Sequence, residues 1–102
     1  MARITEAEVG IAVLHILAAQ PNGRATVWKL KQQLPNYVRL SAEDQTGSWT
    51  RTNEELWEQQ VRNLKSHGGT TGNIFYDGYV MHVSRGVWAI TSAGRRRIAQ
   101  AA

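Results

Sequence analysis

The chain has no cysteine. That excludes a disulfide framework and any thiolate metal site, and it suits a reducing compartment. It has no apolar run of membrane-spanning length and no signal-peptide pattern at its start, so the expected location is the cytoplasm and no membrane partner is expected. Acidic residues are scarce in the second part: residues 61–102 hold six Lys/Arg and only Asp77, a balance of +5. Residues 1–60 hold six Lys/Arg and seven Asp/Glu, a balance of −1. The whole net charge of +4 therefore lies in the C-terminal part. A one-sided basic excess is the electrostatic footprint of a nucleic-acid face.

Catalytic chemistry is absent too. There is no Ser/His/Asp set and no carboxylate cluster beside a lysine. The three histidines lack metal-ligand spacing. His15, among apolar neighbours, reads as a partly buried structural residue. Ser66-His67 reads as a helix end, where a cationic imidazole is favoured. Gly68-Gly-Thr-Thr-Gly-Asn73 is glycine-rich but lacks the spacing and the Lys-Ser/Thr of a phosphate loop. The expectation is a chain with no enzyme activity of its own, no metal and no cofactor.

At 102 residues the chain should form one domain, 1–102, with a small core. Thr5-Glu-Ala-Glu8 is a capping box opening a first helix to about Ala19, with Ile4 stapled onto Val9 and Val9, Ala12, Val13, Ile16 and Leu17 buried. Pro21-Asn-Gly23 ends it. Arg24–Thr26 is a short extended link and a candidate first strand. Thr26 caps a second helix with Val27, Leu30 and Leu34 inward and Trp28 near the edge of that stripe; Pro35-Asn stops it. Ser41-Ala-Glu-Asp44 is a candidate helical turn capped by Ser41, followed by an irregular loop, Gln45–Arg51, that carries Trp49.

The organising stretch runs from Thr52 to Arg97. Thr52-Asn-Glu-Glu55 reads as a capping box that opens a helix of about 52–67. Trp57, Val61 and Leu64 recur as one apolar stripe. At about 100° per residue, Glu55, Gln59, Arg62 and Ser66 fall opposite it, with Glu58 and Asn63 at the edges. Gln, Arg and Asn are the side chains that pair bidentately with base edges in a major groove. Asn73–Asp77 is one more candidate turn, and Gly78 suits a left-handed position before a strand. Tyr79–Val83 and Val87–Ile90 alternate as a hairpin, about 78–91, with Ser84-Arg85-Gly86 at its turn. Thr91 caps a final helix with Ile98 inward and Arg95, Arg96 and Arg97 around it. The predicted fold class is mainly α with a small β-hairpin: a single-domain winged helix-turn-helix, in which a helix followed by a two-stranded wing meets DNA.

Ala25-Thr-Val-Trp-Lys-Leu30, Trp57-Glu-Gln-Gln-Val-Arg62, Gly78-Tyr-Val and Arg85-Gly-Val-Trp-Ala-Ile-Thr-Ser-Ala-Gly-Arg95 resemble the N-terminal domain of Mrr-type restriction endonucleases. The resemblance spans nearly the whole chain. It implies a winged helix that reads DNA, typically methylated, for a separate downstream nuclease domain, as part of modification-dependent prokaryotic defence. The chain departs from the pattern at Ser66–Tyr76, which intervenes where the family's helix runs almost directly into its strand.

The combined reading is recognition of a short double-stranded DNA sequence containing a methylated base, by a module monomeric in isolation. Glu55, Gln59, Arg62, Asn63 and Ser66 are the candidate base readers. Arg51, Lys65, Arg85, Arg95, Arg96 and Arg97 are the candidate backbone contacts. Tyr37 and Trp49 are candidates for meeting the methyl group. The rival readings are a transcriptional-regulator winged helix and a winged helix used for protein docking.

Overall fold

Thr5 opens α1, Glu6–Ala18, with a reciprocal cap: its hydroxyl accepts from Glu8 N–H at 3.1 Å, and Glu8 Oε1 accepts from Thr5 N–H at 3.0 Å. The computed structural model describes residues 3–47 and 54–100. Trp49, Arg51 and Thr52 lie outside those residues. α1 is the central helix. Val9, Val13, Leu14, Ile16 and Leu17 are fully buried, and the helix packs against elements on several sides. Gly10 lets this packing close, because a Cβ there would meet Ile74 Cγ2 at 3.0 Å. His15 is exposed, not partly buried as expected. It falls outside the wide apolar face that the burial of Leu14 and Ile16 defines.

Gly23, at φ +66°, turns the chain into β1, Arg24–Thr26. Thr26 then caps α2, Val27–Gln33, by accepting from Lys29 N–H at 3.0 Å. Leu30 and Leu34 are buried, while Trp28 stands 68% exposed. A 3₁₀ turn, Leu34–Asn36, ends this segment at Pro35, as proline requires. The Ser41–Asp44 turn forms as expected, with Ser41 Oγ accepting from Asp44 N–H at 3.1 Å.

α3 spans Leu56–Ser66, and Glu55 is its N-cap. The start predicted at Thr52 is therefore corrected by three or four residues. The reason is tertiary. Leu56 N–H donates to Thr46 C=O at 2.9 Å and Trp57 N–H to Asp44 C=O at 3.0 Å. A bridge between Gly47 and Glu55 holds Glu55 extended, at ψ 160°. The capping box is Glu55–Glu58, where Glu58 Oε1 accepts from Glu55 N–H at 3.1 Å. Trp57, Val61 and Leu64 are buried, as their stripe predicts.

Asn73 closes the C-terminal end of α3. Its Nδ2 donates to Leu64 C=O at 2.7 Å, and its Oδ1 accepts from Phe75 N–H at 2.7 Å. The turn that follows has Asp77 N–H on Asn73 C=O. Gly78, at φ +78°, leads into β2, Val80–Ser84, which pairs antiparallel with β3, Val87–Ile90. β1 pairs with the other edge of β3, so the expected hairpin belongs to a three-stranded antiparallel sheet ordered β1-β3-β2. Trp88 is its largest buried side chain and meets Phe75 edge-on, with ring centroids 4.9 Å apart. α4, Ser92–Gln100, begins at the Thr91 cap, whose hydroxyl accepts from Gly94 N–H at 3.0 Å. In the described residues four helices and the small sheet thus enclose one core. Among the described residues no helix is long and apolar enough to cross a membrane.

Candidate nucleic-acid interface

The C-terminal half of α3 runs beside the β2–β3 hairpin. A groove of about 340 Å³ lies between them, lined by Arg62, Lys65 and Ser66 of α3, His82 of β2, Gly86 of the hairpin turn, Trp88 of β3 and Val27 of α2. Local chemistry places each wall. Burying Val61 and Leu64 turns Arg62, Lys65 and Ser66 away from the core on the hairpin side, because helix positions advance by about 100°. Strand alternation puts His82 on the same face as buried Val80. Val27 N–H donates to Gly86 C=O at 2.8 Å, tying the start of α2 to the hairpin turn. Gly86, at φ +73°, is needed for that turn.

The floor is apolar and the rim carries two cations, a hydroxyl and an imidazole. No acidic residue is among the described residues lining it. Arg85, at the hairpin tip, is exposed. Such a rim can hold an oxyanion by charge-assisted hydrogen bonds, and its Arg and Ser can address base edges.

The predicted base readers do not act as one row. Arg62 and Ser66 face the groove. Glu55 is committed elsewhere: its Oε1 accepts from the Trp57 indole N–H at 2.8 Å. Asn63 shares its flank of α3 with His67, one turn on, whose Nδ1 lies 2.8 Å from Glu6 Oε1 at the start of α1. Gln59 is half-buried between the two flanks.

Of the predicted backbone contacts, Lys65 lines the groove and Arg85 projects beside it. Arg95, Arg96 and Arg97 do not line it. Arg95 lies over the opposite end of the sheet: a Cβ on Gly23 would meet its Nη2 at 2.7 Å. Gly23 C=O accepts from Ile90 N–H, four residues along the strand from Gly86 and so roughly 13 Å away. Tyr37 borders a separate hollow of about 600 Å³ whose wall includes Ile4, Ile11, His15 and Val38, with no α3 or hairpin residue among its lining.

Sequence reasoning missed two features. His82 was legible in principle, two residues beyond Val80 on an alternating strand. The charge cluster behind Arg62 was not. There Glu54 Oε2 accepts from Lys31 Nζ at 3.1 Å and from Arg62 Nη1, joining α2 to α3. The hydrogen bond from Arg62 holds the Glu54 carboxyl below its usual range against the upward push of burial, and Lys31 adds to the effect. Among the described residues no three His, Asp or Glu side chains gather as metal ligands. No family model, curated protein or solved structure matches the chain.

Proposed function

We propose that this chain is a double-stranded DNA-recognition module of the winged-helix type. α3 is the helix that enters the major groove, and the β2–β3 hairpin is the wing that follows the backbone. The observation that carries the reading is the groove, acid-free among the described residues, in which Arg62, Lys65 and Ser66 of α3 meet His82 and the hairpin turn. The basic balance of residues 61–102 supports it, as does the resemblance to the N-terminal domain of Mrr-type restriction endonucleases. On that resemblance the module reads a short sequence containing a methylated base and delivers it to a nuclease domain elsewhere in the full protein.

Magnitudes divide the labour. Burying one methyl group contributes roughly 0.8 kcal/mol, about fourfold in affinity. One good bidentate base contact contributes roughly 1–3 kcal/mol. Sequence is therefore read mainly by polar side chains, and the methyl sharpens the choice. Titration of a random duplex over a range of salt concentrations tests the reading: affinity should fall linearly in a double-logarithmic plot. A flat or absent response would favour protein docking. That rival has one observation of its own, the exposure of Met81 and Val83 on edge strand β2.

A further inference from the structure

Glu54 joins α2 to α3 and at the same time holds a residue that lines the groove. Its side chain is only 11% exposed. Oε2 takes both cations, and Oε1 is buried without a hydrogen-bond partner among the described residues. One carboxylate against two cations leaves the cluster at +1, so it stays attractive to an anion. A buried carboxylate is tolerated only where cations and hydrogen bonds offset its lost hydration, and here the offsetting groups reach it from two helices. Arg62 does two things at once. It bonds Glu54 behind, and it lines the groove in front while its side chain remains 29% exposed. A guanidinium has five N–H donors in a rigid fork, and the Nη1 bond to Glu54 engages only part of it.

We infer that Glu54 is a positioning residue for DNA recognition: its carboxylate fixes the Arg62 fork at the α3–hairpin groove so that the donors facing the groove meet the DNA in one orientation. The inference rests on the DNA-reading function proposed above. A tethered fork has already lost its rotamer freedom before binding, which favours a directional base contact. An untethered arginine swings among neighbouring phosphates and binds all sequences alike. Glu54 thereby trades general affinity for discrimination, since its negative charge also weakens the field at the groove.

The test uses Glu54→Gln and Arg62→Lys. Each is measured against the duplex that the wild-type protein enriches most from a pool with a randomised centre, and against the unselected pool. For Glu54→Gln the expected ratio of the two affinities falls at least about fivefold, the lower bound for a lost bidentate contact. Affinity for the unselected pool holds or rises, and the salt slope steepens by about 1 as a released cation finds a phosphate. Arg62→Lys lowers the same ratio, and the double variant is no worse than the poorer single one. A strut alone would lower the melting temperature and leave ratio and slope unchanged, which would overturn the inference while DNA reading stands. Enrichment of no duplex by a wild-type protein that binds the pool would overturn it together with sequence reading, leaving only general DNA binding. Should Glu54→Gln fail to fold, Glu54→Asp, which keeps the charge on a shorter arm, is judged by the same ratio. No binding of the pool by the wild type would remove the proposed function and this inference together.

Discussion

Gly94→Ala isolates one close approach on which the hairpin-to-α4 junction depends. A Cβ at this position would lie 2.2 Å from Tyr79 C=O oxygen and 2.7 Å from Ile90 Cγ1. Non-bonded carbons settle at about 3.5 Å or more, so the junction must open by about 1 Å. The main obstacle is a backbone carbonyl, which cannot rotate away as a side-chain end could. It also accepts from Thr91 N–H at 3.0 Å, which pins it to the start of α4. Overpacking costs typically 1–3 kcal/mol, and a backbone obstacle puts this case near about 3. Alanine returns at most about 1 kcal/mol of helix propensity. The expected net loss is about 2 kcal/mol, which in a domain of this size lowers the melting temperature by roughly 10 °C. Thermal melting by circular dichroism measures it. The control is Gly69→Ala, whose Cβ would meet nothing within 4 Å and which should melt with the wild type. A Gly94→Ala protein as stable as the wild type would refute the packing described for this junction.

Trp88→Ala should cost about 3–5 kcal/mol by opening a cavity beside Phe75, read from denaturant titration with an unchanged slope. Asp44 is buried, and its carboxylate accepts from Ile4 N–H and Ser41 N–H, each at 2.9 Å. Burial pushes its carboxyl up, but the Ser41 and Ile4 hydrogen bonds outweigh that and hold it below its ordinary value. Its stabilisation is thus present above the unfolded carboxyl range of about 3.9 and is lost as pH falls through the lower folded value. Asp44→Asn should destabilise by about 1–3 kcal/mol at neutral pH and show a shallower loss of stability below about pH 4, measured by melting across pH. Arg85→Ala should weaken all duplexes about equally and reduce the salt slope by about 1, as the loss of one phosphate contact does. Ser66→Ala, on the groove side of α3, should weaken selected duplexes more than random ones; equal weakening would remove Ser66 from the reading face.

The local devices of this fold are legible because their partners lie within three or four residues. The Thr5–Glu8 box, the Thr26 and Thr91 caps and the Trp57–Val61–Leu64 stripe are all of this kind. The start of α3 is not, because the groups that stop it are carbonyls of Asp44 and Thr46 and the extended bridge at Gly47. A pattern of Thr, Asn and Glu cannot reveal that competition. The Glu54 cluster escapes for the same reason: its partners stand 23 residues before it and 8 after it. The segment Arg85–Arg95, one of the four stretches that carry the resemblance to Mrr-type domains, is mainly architecture. Gly86 makes the turn, Trp88 and Ile90 enter the core, Thr91 caps α4, and Gly94 admits the Tyr79 carbonyl. Arg85 is exposed at the hairpin tip, and Ser92 and Arg95 are exposed along α4. The segment therefore argues for the hairpin and helix more strongly than for what they touch. The case for DNA rests instead on the groove side of α3.

DNA recognition by this chain is tested by selection from a randomised duplex library, offered unmethylated or methylated at adenine or cytosine, at two salt concentrations. The expected result is enrichment of one motif, sharpened by methylation at one base, over a background of binding that weakens as salt rises. No retained duplex at either salt would contradict it.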